Sequence, residues 1–146
     1  MILPIASDHA GYPAKEMAKA LLEALGHEPI DYGTHSEASV DYPDYAILVA
    51  HAVGKGEYER GILICGSGQG MAMTANRIPG VRAALVWNAE IATLSVQHNN
   101  ANVLCLPGRY LNSDEMTSIL KNWLNTTFEG GRHANRVNKI HSLTSC

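Results

Sequence analysis

One short run concentrates much of the chemistry this sequence offers: Cys65-Gly66-Ser67-Gly68-Gln69-Gly70. Alternating glycines let the backbone approach a ligand closely and turn several N–H groups inward, which suits a phosphate or a developing oxyanion. A thiol directly before such a cradle is a candidate nucleophile or proton-abstracting base. A neighbouring helix N-terminus can draw a cysteine from about 8.5 toward neutrality. Each residue also has a plainer reading. Cysteines at strand ends are mostly small buried hydrophobes, and a tight turn uses glycine for its dihedral angles alone. As a dinucleotide motif the run fails, because Met71 stands where the third glycine belongs. It lacks the Gly-Lys-Ser/Thr of a Walker loop, and Cys65 and Gln69 stand where a nucleophile elbow needs glycines.

Three further groups could join it. His9 follows Asp8, and His98 precedes the polar run Asn99-Asn100-Ala101-Asn102. A histidine beside a cleft can move protons near neutral pH, although a hydrogen-bonded structural histidine is the commoner case. Asp8, His9, Cys65 and His98 lack His-Glu-x-x-His or Cys-x-x-Cys spacing, so no metal site is expected. Arg132 and Arg136 share one face of a helical turn and form a forked donor pair suited to phosphate. By themselves they read as a solvated basic C-terminal turn. Arg109, after Pro107-Gly108, joins them only if the fold or a second subunit brings it near.

The elements that must position these groups alternate. Strands are predicted at Ile2 to Ala6, Glu28 to Tyr32, Gly61 to Cys65, Arg82 to Trp87 and Asn102 to Leu106. Between them run helical stripes: Ala14 to Leu25 with Pro13 in the first turn and Gly26 at the end, and Tyr45 to Val53. A helix follows the glycine run through Asn76, and another spans Ala89 to Gln97 with Asn88 as N-cap. The last strong apolar face is Met116 to Leu124, opened by an Asn112–Glu115 capping box. Pro4 interrupts the first strand as a ladder donor, so that strand is expected to start late or leave a carbonyl bonded to water. This alternation predicts an α/β, Rossmann-like sandwich: a mainly parallel five-stranded sheet with helices on both faces. Ligands in such sheets bind beyond the carboxyl ends of the strands.

A chain of 146 residues, 46% hydrophobic and 17% charged, is expected to form one domain, 1–146, with one core. No apolar run approaches the roughly 18 residues of a membrane span, and the first residues lack a signal-peptide pattern. Three widely spaced cysteines read as reduced thiols, so a cytoplasmic protein is expected. A net charge of −3 disfavours general nucleic-acid binding.

Taken jointly, six segments are specific where each alone is not. Ser7-Asp8-His9-Ala10-Gly11, Asp41-Tyr42-Pro43-Asp44-Tyr45, Gly61 to Gly70, His98 to Asn102, Leu106-Pro107-Gly108-Arg109 and Gly130-Gly131-Arg132-His133 follow in order. The chain resembles the type B ribose-5-phosphate isomerases, a family that also includes galactose-6-phosphate and allose-6-phosphate isomerases. The resemblance extends to about Ile140. It implies a cofactor-free aldose–ketose isomerase working as a homodimer, with tetramers a further option, whose active sites draw on both subunits. On that pattern the segment from about residue 130 packs on the partner subunit. Cys65 is then the base at C2, and the Gly66, Gly68 and Gly70 backbone holds the enediolate oxygen. Ser67 handles a proton where many members have threonine, and His98 opens the sugar ring. Asp8, Tyr42 and Asn99 hold sugar hydroxyls, while His9, Arg109, Arg132 and Arg136 match the phosphate positions. Members lacking the cysteine use a glutamate just past the glycine loop. Met71 occupies that position here, so the base is the thiol.

The leading activity is therefore interconversion of ribose 5-phosphate and ribulose 5-phosphate, in the pentose phosphate pathway. A six-carbon sugar phosphate is the alternative substrate. A sensor without catalysis and a nucleotide or flavin module are weaker readings. The first has no use for a base, and the second lacks its glycine spacing.

Overall fold

The computed structural model describes residues 1–146. Five strands form one sheet in the order β2-β1-β3-β5-β4: β1 (Ile2–Ser7), β2 (Glu28–Asp31), β3 (Gly61–Cys65), β4 (Ala83–Leu85) and β5 (Val103–Pro107). Every neighbouring pair is parallel, which sharpens the expected mainly parallel sheet. Helices α1 (Tyr12–Ala24), α2 (Tyr42–Gly54), α3 (Gln69–Ala75), α4 (Ala89–Gln97), α5 (Ser113–Asn125) and α6 (Arg132–Ser142) complete the chain. None is long and apolar enough to cross a membrane.

Side chains alternate across the pleat, and the sheet is covered on both faces. Leu3, Ile5, Ile62, Ile64, Leu104 and Leu106 turn toward α1, α4 and α5, where Trp123, Leu22 and Met116 complete one core. Ala6, Leu63, Cys65, Val103 and Cys105 turn the other way, against α2 and α3. Each wholly buried leucine or isoleucine contributes about 1.5–3 kcal/mol over exposure. The sequence-level caps are in place: the Asn88 side chain accepts the Ile91 N–H, and Asn112 with Glu115 forms a reciprocal box.

Three expectations change. Pro4 does not delay β1, which starts at Ile2. The Met1 and Ile5 carbonyls face β2, so Pro4, at the intervening parity, faces β3, whose ladder with β1 opens only at Ile5–Ile62. Helix α2 starts at Tyr42 rather than Tyr45, because Pro43 fits the first turn. Arg132 and Arg136 lie on a full eleven-residue helix, α6, rather than an isolated basic turn. It buries only His133 and Val137, too narrow an apolar stripe to register as a helical period.

The strand order sets the functional edge. After β1 the chain pairs on one side as β2, then crosses to the other side as β3. That switch opens a crevice at the carboxyl ends of β1 and β3, beside the end of β5.

Candidate functional site

At this carboxyl edge lies a cavity of about 320 Å³, lined by Asp8, His9, Tyr42, Cys65, Ser67 and Arg109 among others. Cys65 ends β3 with 5% exposure, and its Sγ accepts the Gly68 N–H at 3.2 Å. The turn can bring that donor back onto the sulfur because Gly68 adopts φ +77°, the left-handed region. A Cβ there would stand 2.5 Å from Leu85 Cδ1 and 3.1 Å from the Leu106 carbonyl carbon. Gly70 is required by proximity instead: a Cβ would meet the Tyr42 ring at 2.6 Å. The glycine run is thus a packed cradle, with Tyr42 laid against it.

Other side chains are aimed by local bonds. Asp8, 6% exposed, accepts the Gly11 N–H on Oδ1 at 2.9 Å, leaving its second oxygen for a ligand hydroxyl. His9 Nδ1 lies 3.1 Å from the Val40 nitrogen and 3.2 Å from the Val40 carbonyl oxygen. A neutral ring accepts from the Val40 N–H, and a charged ring donates to the carbonyl; in both, Nε2–H remains a donor for an anion. The Arg109 N–H donates to the Gly66 carbonyl at 3.1 Å, and its side chain stays exposed over Gly66.

The loop 33–41 that carries Val40 is anchored by a buried cation. Lys15 is fully buried and donates to Asp31 at 2.5 Å and to the Thr34 carbonyl at 2.6 Å. Burial raises the Asp31 carboxyl. Donors from Lys15, Lys19 and the Gly33 N–H outweigh that and leave it lowered to about 2. Cys105 shares the Cys65 face of the sheet, and burial pushes its thiol up, so it stays protonated.

His98, Asn99, Arg132 and Arg136 do not line this cavity. His98 caps α4 and precedes β5, so it lies at the amino edge of the sheet. Asn102, in the same loop, accepts the Gly61 N–H at the start of β3, while Cys65 lies four residues further along that strand. At about 3.3 Å per residue, roughly 13 Å of strand separates the two edges. There His98 stacks on His133 of α6, centroids 4.3 Å apart and planes 9° from parallel. Arg132 and Arg136, on the same helix, are both exposed. The sequence-derived site is therefore two groups at opposite edges of one chain.

The sequence of the ribose/galactose isomerase family matches residues 3–140. The chain belongs to this family. The ribose-5-phosphate isomerase B of Escherichia coli is 43% identical over 136 residues, covering 93% of this chain and 91% of its own. The solved ribose-5-phosphate isomerase B of Clostridium thermocellum superposes with a TM-score of 0.95 at 47% identity, covering 98% of this chain and 97% of that one. The Mycoplasma genitalium enzyme, solved with ribulose 5-phosphate bound, gives a TM-score of 0.92 at 43% identity over 97% of this chain and 95% of that one. The resemblance to type B isomerases and the fold it implied are both borne out.

The sequence reading overlooked two neighbours of these residues. Tyr110, 73% exposed, lines the Cys65 cavity, and His133 packs on His98. His133 stood inside the quoted Gly130 to His133 segment, and its spacing from Val137 was the only hint that it faces inward. Burial, then the charges of His98 and Arg132, lower the His133 pKa below its usual 6.5, with Glu129 opposing. His98, Glu129 and His133 offer donor atoms within 4.8 Å of one another. Their two imidazoles are face to face, however, so a cation in one ring's plane falls outside the other's. Met71 is wholly buried in the α2–α3 core and cannot serve as a base.

Proposed function

We propose that this protein interconverts D-ribose 5-phosphate and D-ribulose 5-phosphate, as a homodimer in which each active site joins the carboxyl edge of one subunit to the amino edge of the other. The observation that carries it is the cavity pairing Cys65 with the Gly66 to Gly70 cradle and an acidic Asp8, in a member of this isomerase family. A single sugar phosphate cannot span from Cys65 around the sheet to His98 of its own chain. A second copy related by a two-fold axis supplies the missing half and forms two equal sites. Exposed apolar side chains suit such an interface: Tyr110 at the cavity, Met73 on α3, and Ile140 and Leu143 on or just after α6. On this reading the segment from about residue 130 packs against the partner. The single domain 1–146 and a cytoplasmic location, which suits three free thiols, belong to the same proposal. A pairing of dimers into tetramers is a further option.

The steps follow from chemical roles. His98 removes the proton of the anomeric hydroxyl, the ring C–O bond breaks, and the imidazolium returns that proton to the released alkoxide as the chain opens. The Cys65 thiolate then takes the C2 proton. The electron pair moves into a C1–C2 enediolate whose oxygen lies against the cradle N–H groups. Ser67 relays a proton between O1 and O2, and the thiol returns its proton to C1, giving the ketose. Asp8, Tyr42 and Asn99 hold hydroxyls. His9 and Arg109 from one subunit, with Arg132 and Arg136 from the other, hold the phosphate remote from the reacting carbons. All the acid–base groups are side chains, so no cofactor or metal enters the scheme.

The test is ketose formation from ribose 5-phosphate without added metal or nucleotide, in the wild type and in Cys65→Ala. Turnover in the first that vanishes in the second supports the reaction and the base. Full activity in Cys65→Ala contradicts the assignment of the base. A folded wild type silent on ribose 5-phosphate but active on allose 6-phosphate or galactose 6-phosphate contradicts the substrate.

A further inference from the structure

The amino-edge group hangs on one residue that the chemistry above does not use. The loop 98–102 is irregular, and Asn100 is the only non-glycine residue of the chain at positive φ, +50°. Such a conformation costs about 1 kcal/mol or more and persists only where neighbours hold it. Arg82, just before β4, supplies that hold. Its Nε donates to the Asn100 carbonyl at 2.7 Å, and its backbone N–H donates to Asn102 Oδ1 at 2.7 Å. Its carbonyl in turn accepts the Asn102 N–H at 3.0 Å.

The same guanidinium reaches a second segment. Arg82 Nη1 donates to His141 Nε2, 3.1 Å away. Because an arginine cannot accept, that nitrogen of His141 is bare, and the Nδ1–H donates to the Cys146 carbonyl at 3.1 Å. His141 lies in the last turn of α6, the helix carrying Arg132, His133 and Arg136. Arg82 makes no ion pair with any carboxylate. Its planar fork is spent on a main-chain carbonyl and a histidine, which a lysine cannot reproduce as one rigid unit.

We propose that Arg82 is a positioning residue for ring opening: it fixes the loop 98–102, and with it His98 and Asn99, against the C-terminal turn of α6. This rests on the reading of His98 as the ring-opening group. Arg82 touches no substrate. It acts by holding a strained loop in the one arrangement that presents its histidine.

A double-mutant cycle on the full-length protein tests this, with ribose 5-phosphate as substrate and Arg82→Met and His98→Asn as the two changes. In the wild-type background Arg82→Met lowers kcat about tenfold or more, whereas in the His98→Asn background it lowers kcat less than twofold. The far-UV circular-dichroism spectrum and the dimer mass are unchanged by Arg82→Met, which separates a local loss from global unfolding. Two fully multiplicative losses, or an Arg82→Met enzyme with wild-type kcat, overturn the inference while leaving the His98 role standing. An undiminished kcat in His98→Asn overturns that role first, and the inference with it. If Arg82→Met does not fold, Arg82→Lys runs the same cycle, because it keeps the charge and the main-chain bonds but can grip only one of the two segments.

Discussion

At the carboxyl edge, Cys65, Asp8 and His9 sit on the last residues of strands or directly after them, and main-chain N–H groups of Gly68, Gly11 and Val40 aim them. At the amino edge, His98 and Asn99 sit on a loop with a left-handed asparagine, and Arg132 and Arg136 sit on a terminal helix that buries two side chains. The first group is built by the sheet, so the forces that stabilise the core also preorganise the chemistry. The second is tied on by side chains: Arg82, Asn102 and the His98–His133 stack. The rigid edge therefore suits a base and a cradle that must meet one carbon atom to within a fraction of an ångström. In the proposed dimer, the tied-on edge is the one that would carry the phosphate clamp and the ring opener to the partner's cavity.

The largest test of that division is Cys65→Ala, which is expected to cut kcat by about a thousandfold or more with the fold retained, as read by circular dichroism and initial rates. Arg136→Ala, at the other edge, is expected to raise KM about tenfold to a hundredfold with kcat nearly unchanged, since a remote phosphate contact holds ground and transition states alike. A fall in kcat alone for that variant would merge the two roles.

The edges should also answer acid differently. Asp31, which anchors the loop beside the carboxyl edge, is lowered from 3.8 to about 2 in the folded chain. Its pairing with Lys15 and Lys19 therefore adds about 2 kcal/mol above pH 4, lost as pH falls through the range between those values. Asp31→Asn should flatten that part of a chemical-denaturation series against pH. His133, at the amino edge, is held below its usual 6.5, so the native chain binds that proton less tightly than the unfolded one. A smaller loss of stability is thus expected as pH drops below about 6.5, absent in His133→Gln. Loss in that upper window unchanged by His133→Gln would place its source elsewhere.

The same contrast explains what could be read from the sequence. Strand-end chemistry is legible in one chain, because a parallel sheet sends every carboxyl end to one edge and Cys65-Gly66-Ser67 follows an unbroken apolar strand. The capping residues Asn88 and Asn112 were equally legible, because a cap is a local hydrogen bond. His98 and the two arginines were not, except by resemblance. Nothing in periodicity links a loop before β5 to a cavity after β3, as the proposed composite site does, and topology within one chain keeps them apart. Helix α6 escaped because nine of its eleven positions lie outside the buried set. The hold of Arg82 on Asn100 escaped because a left-handed asparagine leaves no mark in composition.

The composite site is tested most directly by mixing two enzymes that each lack one catalytic group. Cys65→Ala and His98→Asn each impair both sites of their own dimer. After the subunits are dissociated, mixed in equal amounts and reassociated, half of the dimers are mixed, and each of these has one site with an intact Cys65 and an intact His98. Recovery of about a quarter of the wild-type rate is the expected result for a two-fold dimer with shared sites. A mixture no more active than its two components, with subunit exchange verified by mass, would contradict a site drawn from both chains.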